Sequence, residues 1–148
     1  MSEPDNEPVI RAITASDAEA AARLSGELGY PVDTEAMTRR ILQLSGKPDR
    51  AVYVATLHSE AVAWIELAIT RHLTSEPYAE IAGLIVAESA RSQGIGGQLV
   101  RFSEEWTKTQ GLKKLLVRSR ITRERAHAFY ERAGFVRVKT SAVFEKPI

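Results

Sequence analysis

The residues best suited to chemistry lie between positions 84 and 97. Leu84, Ile85 and Val86 form an apolar run fit for a buried strand, and Arg91-Ser92-Gln93-Gly94-Ile95-Gly96-Gly97 follows four residues later. Three glycines at what reads as a helix start let a ligand approach the backbone closely. The first-turn N–H groups of such a helix point outward without partners, and its dipole favours an anion there. Each such contact contributes about 0.3–1 kcal/mol when exposed and up to ~2 kcal/mol when sheltered. Several together suit a pyrophosphate. The stretch is not a P-loop, because no Lys-Ser or Lys-Thr follows the glycines. Nor is it a dinucleotide fingerprint: residue 99 is Leu, and loop residues 87–93 separate Val86 from Gly94. Taken alone, the stretch leaves open a glycine-rich helix start that holds no ligand.

Elements that could position this loop are readable on both sides of it. Residues 9–13 alternate as a short strand, and Thr14 with Asp17 three residues on has the form of a capping box. An alanine-rich helix is expected to about Leu28, stopped by Gly29-Tyr30-Pro31. Asp33 or Thr34 caps a second helix with Met37, Ile41 and Leu44 on one face. Residues 51–57 and 61–69 read as a hairpin around His58-Ser59, followed by a loop over 71–77 and a strand over 78–86. The helix after the glycines should run to Thr109 on an apolar face of Leu99, Phe102 and Trp106, and end at Gly111. A strand over 114–119 follows, and then a helix from Thr122 or Arg123 with Ala126, Phe129, Tyr130 and Ala133 on its inner stripe and Gly134 as its C′ residue. Two short strands, 136–138 and 142–144, would close the chain. The order is β-α-α-β-β-β-α-β-α-β-β, an α/β (α+β) arrangement with a mixed sheet and helices on its faces.

Composition narrows the function classes. A chain of 148 residues is one domain's worth, read as a disordered arm over 1–8 and a single domain over 9–148. Twenty basic against 19 acidic residues give a net charge of +1, which argues against a general nucleic-acid binder. No cysteine is present, so a disulfide framework, a thiolate metal site and a cysteine nucleophile are excluded. No apolar run approaches the ~20 residues of a membrane helix. The polar, acidic start has no signal-peptide features, which gives the cytoplasm as the expected location.

Arg91-x-x-Gly94-x-Gly96, preceded by Leu84-x-Val86, resembles the acetyl-CoA-binding motif of the GNAT superfamily of N-acetyltransferases. The stretch from Arg123 through Ala126, His127 and Tyr130 to Gly134-Phe135 looks like that family's second landmark, and the element order is similar to the GNAT fold with its splayed central strands. The resemblance spans residues 9–146 and is strongest over 80–135. It implies that the backbone of Leu84, Ile85 and Val86 pairs with the pantetheine arm of acetyl-CoA. Arg91, Ser92, Gln93, Gly94, Ile95, Gly96 and Gly97 would wrap the pyrophosphate. Many members carry an Asn near the next helix start; here the place is taken by Arg123, whose guanidinium can pair with a phosphate of the coenzyme. Arg118, Arg120 and Arg125 lie nearby as further phosphate partners or as a solvated basic face.

The same resemblance implies that Tyr130 protonates the departing coenzyme thiolate. It also implies that Glu80, eleven residues before Arg91, acts as the general base, matching the catalytic glutamate of the histone-acetylating branch. Such a base eases a real cost, since neutralising an amine of pKa ~10.4 at pH 7 takes about 4.6 kcal/mol. Glu80 is expected to share strand parity with Leu84 and Val86. Glu66 is a second choice of base, and a water chain, which many members of the family use, is the third. His127 reads as a packing or surface residue more than a base, His72 as a loop residue near the acceptor, and Trp64 and Trp106 as core.

The expected activity is direct transfer of the acetyl group from acetyl-CoA to a primary amine of a small molecule or peptide, in a ternary complex without a metal. The alternative is a module of the same fold that binds acyl-CoA as a sensor or partner and transfers nothing. The resemblance places the acceptor pocket around the first two helices and the 71–77 loop. Glu27, Tyr30, Asp33, Glu35, Glu76 and Tyr78 there suit a cationic amine. No nucleic acid or membrane partner is expected. A homodimer through the C-terminal strands is among the arrangements the family uses.

Overall fold

The architecture is set by one antiparallel meander to which a single parallel strand is added. In the computed structural model, which describes residues 7–148, strands β1 (Val9–Ala12), β2 (Arg50–Leu57), β3 (Glu60–His72), β4 (Ser75–Val86) and β5 (Leu115–Val117) lie side by side in that order. The first four are antiparallel, and β5 joins β4 in parallel. Helices α1 (Ala18–Glu27) and α2 (Thr34–Leu44) come between β1 and β2, α3 (Ile95–Thr109) between β4 and β5, and α4 (Glu124–Arg132) after β5. The chain divides into two compact units, Met1–Val117 and Arg118–Ile148. The arm expected over 1–8 falls mostly outside the described residues.

In the first unit, local chemistry decides the boundaries. Thr14 and Asp17 form the expected capping box over a short 3-10 turn, Ala15–Asp17, that leads into α1. The Asp17 carboxylate accepts from the Thr14 N–H at 2.8 Å and from both Nη1 and Nη2 of Arg11, each at 2.8 Å. Ala18, Ala21, Ala22 and Leu24 are buried on the inner side of α1, which packs against β3. Asp33 Oδ1 accepts from the Ala36 N–H at 2.7 Å and caps α2, with Ile41 buried beneath it. His58 and Ser59 turn the β2–β3 hairpin, both at positive φ (50° and 65°), the pattern of a two-residue turn whose twist matches the flanking strands.

The face of α3 differs in detail from its apolar reading. Ile95, Leu99 and Val100 are buried together with Ser103 and Thr107. Their hydroxyls donate to the helix's own carbonyls, Ser103 Oγ to Val100 at 2.6 Å and Thr107 Oγ1 to Ser103 at 2.7 Å, and so are buried at little cost.

Two expectations about the strands are corrected. The loop read over 71–77 is strand for most of its length: β3 runs to His72, β4 begins at Ser75, and Leu73-Thr74 form the tip. Pro77 lies within this stretch, and the register shift between Thr70 and His72 loosens the ladder there and accommodates a residue with no N–H. The final strands expected over 136–138 and 142–144 are not formed. Alternating apolar residues favour an extended chain, but a strand also needs a neighbouring edge. Val143 and Phe144 are 91% and 92% exposed, so neither finds a covering face in this chain.

In the second unit, α4 ends as expected at Gly134 (φ 99°). Phe135 N–H donates to the Tyr130 carbonyl, and Gly134 N–H to that of Glu131, both at 3.0 Å. The rings of Phe129 and Phe135 meet Tyr130 edge-on, with centroids at 5.2 and 5.6 Å.

The Arg11 pair holds the Asp17 carboxyl below its ordinary pKa, more than burial raises it. A carboxyl depressed in the folded state stabilises the fold above its unfolded pKa, and that contribution disappears as pH falls through the depressed value. Asp17→Asn should therefore cost about 1–2 kcal/mol at pH 7. The gap between the two proteins should close as the medium is taken below about pH 4. Thermal melts across that range check it, and a gap independent of pH would refute the assignment.

Candidate active site

The site begins where β4 leaves β5. The parallel ladder pairs Ala79 with Leu115, Glu80 with Leu116 and Ile81 with Val117, and stops there, whereas β4 continues to Val86. On its other side β4 stays paired with β3 as far as Val86 opposite Ala63. The departure coincides with a β-bulge. Leu67 faces Ile81 and Glu66 faces Gly83, which leaves Ala82 as the extra residue. Beyond the bulge, the β5-side edge of β4, including Leu84, Ile85 and Val86, has no strand beside it among the described residues. A row of unpaired backbone donors and acceptors accepts an extended ligand as it would another strand.

The bulge corrects the parity assigned to Glu80. Directly opposed residues share a face. Glu80 lies opposite Ala68, while Leu84 lies opposite Ile65 and Val86 opposite Ala63. Glu80 thus shares its face with Gly83 and Ile85, and with Trp64 and Glu66 on β3, not with Leu84 and Val86. The other face, which carries Tyr53 of β2, is covered by α3, whose Phe102 ring meets Tyr53 edge-on at 4.6 Å.

On the Glu80 face, Glu66 is three-quarters buried, with its side chain 26% exposed, and pairs with Arg50 at 3.4 Å. Burial raises its pKa, opposed by the Arg50 charge. Trp64, expected as core, lies across the backbone of β4: a Cβ on Gly83 would sit 2.8 Å from its ring. Its indole Nε1 is buried without a hydrogen-bond partner. Sequence reading passed over Arg50 and Gly83; only the strand register brings them to this face. His72 Nε2 lies 3.3 Å from the Tyr78 hydroxyl near the hairpin tip.

The glycine loop is built as its composition suggests. A 3-10 turn, Glu88–Ala90, leads to exposed Arg91, Ser92 and Gln93. Ser92 and Gly94 have φ of 68° and 78°. Gly94 is the N-cap of α3, and its carbonyl accepts from the Gln98 N–H at 3.0 Å. That leaves the N–H groups of Ile95, Gly96 and Gly97 as first-turn donors with no side-chain cap and no acidic residue beside them. Ile95 itself points into the core, 2% exposed, so it can offer only its backbone. These groups fit a pyrophosphate, and the free edge of β4 fits an extended amide-bearing arm. Among the described residues, no three His, Asp or Glu gather as a metal-binding group.

Arg123 and Tyr130 belong to the second unit. Arg123 is the N-cap residue of α4. Tyr130 is half-buried; burial raises its pKa, opposed by the Arg123 charge. His127 has both ring nitrogens engaged, Nε2 with the Arg120 carbonyl at 2.8 Å and Nδ1 with Arg137 Nη2 at 3.1 Å. It therefore serves as a staple, in keeping with its reading as a packing residue.

Comparison with known proteins agrees with this geometry. Residues 17–135 match the model of the acetyltransferase (GNAT) family. The chain is similar to an aminoglycoside N(6')-acetyltransferase type 1 of Klebsiella aerogenes, 29% identical over 97% of this chain and 99% of that protein. It is also similar to an aminoalkylphosphonate N-acetyltransferase of Salmonella typhimurium, 30% identical over 76% of this chain and 71% of that protein. Among solved structures, the aminoglycoside N-acetyltransferase AAC(6')-Iy in complex with CoA has the same fold, with a TM-score of 0.86 at 16% identity over 99% of this chain and all of that one. A strand edge freed at a bulge, an uncapped glycine-rich helix start and a family match across both thus lead to one conclusion: the chain belongs to the GNAT family of acetyltransferases and is an acetyl-CoA-dependent N-acetyltransferase.

Proposed function

We propose that the protein transfers the acetyl group of acetyl-CoA directly to a primary amine of a small, cationic molecule, both substrates being bound together. The observation that carries this reading is the unpaired edge of β4 running into the uncapped start of α3. The edge takes the pantetheine arm through the backbone of Leu84, Ile85 and Val86. The loop from Arg91 through Ser92, Gln93 and Gly94 to Ile95, Gly96 and Gly97 takes the pyrophosphate, and Arg123 supplies a further phosphate contact. Glu80 accepts the amine proton. A backbone N–H near Val86 stabilises the oxyanion, and Tyr130 protonates the leaving thiolate. With no cysteine in the chain, the acetyl group has no enzyme thiol on which to rest.

Carboxylates and aromatic rings on the Glu80 face support a cationic acceptor, as do relatives named for aminoglycosides. The family match spans both compact units, which supports residues 9–148 working as one catalytic domain in the cytoplasm, where acetyl-CoA is available. The exposed apolar C-terminal segment, with Val136, Val138, Val143 and Phe144, supports a homodimer in which a second copy supplies the missing strand edge.

Calorimetric titration should give an acetyl-CoA Kd of about 100 µM or tighter, within the usual range for substrates. Adding cationic amines should then release free thiol. Binding without release from any amine would favour the acyl-CoA-binding module instead. Tyr130→Phe should lower kcat by about tenfold or more while acetyl-CoA affinity stays within about threefold, the pattern of a lost proton donor. An unchanged kcat would remove Tyr130 from the chemistry. Gly94→Ala puts a side chain at φ 78°, which costs about 1–2 kcal/mol. It should weaken acetyl-CoA binding more than it changes kcat in saturating coenzyme; equal affinity would detach this loop from the coenzyme. Light scattering should report twice the mass of one chain, and a monomeric mass for the Val143→Asp variant.

A further inference from the structure

We infer that Glu66 is a second acceptor-holding carboxylate, set beside Glu80 and oriented by Arg50, so that the preferred acceptor is an amine with a further positive charge a few ångströms from the nitrogen that is acetylated. This rests on the transferase reading above and names its acceptor class.

The strand register carries the argument. Glu66 lies opposite Gly83, the first residue of β4 beyond the bulge, and Glu80 lies opposite Ala68, two residues along β3 from Glu66. The two carboxylates are therefore diagonal neighbours on one face, with backbone positions about 7–8 Å apart by cross-strand geometry. They flank the place where β4 parts from β5, Glu80 just before it and Glu66 just after it. Gly83 contributes no side chain there, and the Trp64 ring lies across its backbone. An indole beside carboxylates suits an alkylammonium ion, which gains from both charge and π face.

The state of Glu66 also favours a role in binding. A largely buried carboxylate is normally held by short, charge-assisted hydrogen bonds of about 2.7–2.9 Å. The ion pair with Arg50 is 3.4 Å and involves one guanidinium nitrogen, Nη1. That contact fixes where Glu66 points and leaves lone pairs for a second cation, since an ionised carboxylate can accept about four hydrogen bonds. Arg50 does not touch the acceptor in this arrangement; it is a positioning residue acting through Glu66.

The test compares diaminobutane with butylamine, two acceptors of equal chain length that differ in one ammonium group, by thiol release from acetyl-CoA. The unsubstituted enzyme should favour diaminobutane by about tenfold or more in kcat/KM. Glu66→Gln should reduce that preference to about twofold or less, mainly through the KM of diaminobutane, with the KM of butylamine little changed. Arg50→Ala should act in the same direction, and Arg50→Lys and Glu66→Asp should recover part of the preference. Melting curves for each variant separate lost folding from lost recognition. A folded Glu66→Gln enzyme with the full diamine preference would overturn the inference, as would an unsubstituted enzyme that turns over both amines without preference. Neither result would touch the transferase reading, which fails separately if acetyl-CoA does not bind or no amine releases thiol.

Discussion

The structure turns on backbone hydrogen bonds that β4 and β5 do not make. A parallel pair normally satisfies both strands along their common length, and abandoning it beyond Ile81 and Val117 leaves polar groups that need another partner. The bulge at Ala82 lies at this point, and one extra residue there bends β4 and increases its twist. Because β4 remains paired with β3 throughout, the freed edge is held rigidly. A rigid edge receives an extended ligand without the ordering cost that a flexible loop would impose.

The same strand then leads into the second half of the proposed coenzyme site. Only eight residues, 87–94, join Val86 to the first residue of α3, so the freed edge and the helix start are bound to lie close together. Left-handed backbone at Ser92 and Gly94 turns the chain into the helix while keeping side chains out of the way of its first N–H groups. The burial of Ile95 anchors the first turn, so its donors hold their direction before any anion arrives. Each backbone dipole is a weak attraction, but several fixed together bind an anion without first having to be reorganised.

Much of this was legible in residue types. Thr14 with Asp17, Asp33, the His58-Ser59 pair and the glycines after three helices marked boundaries, because capping and turn chemistry act within a few residues. The glycine loop was legible for the same reason. What escaped depends on pairing between distant segments. Strand parity counts residues in twos, which puts Glu80 on one face with Val86, and the extra residue at Ala82 reverses the count. The extension of β3 and β4 past Pro77 depends on a register shift that only the paired strands reveal. The segments at 136–138 and 142–144 have a strand's pattern without a strand's neighbour. His127 is a similar case: its role follows from Arg120 and Arg137 standing seven residues before it and ten after it.

Burial acts on two acids of this chain, Glu66 in the first compact unit and Tyr130 in the second. Transfer to an amine needs one group that takes a proton and another that still holds one. Desolvation disfavours the charged form of an acid, so it raises the pKa of Glu66 and of Tyr130 alike. For Tyr130 the shift moves a phenol already protonated at neutral pH further from ionising, which suits the proton donor proposed for it, while the Arg123 charge opposes the shift. For Glu66, proposed as an acceptor-holding anion and not as the base, the same shift works against the charged form, and the Arg50 charge opposes it. Each group thus has a desolvating surround and one opposing guanidinium. In each, the guanidinium favours the charged form that desolvation disfavours, and for Glu66 that is the anion which the proposed acceptor contact requires.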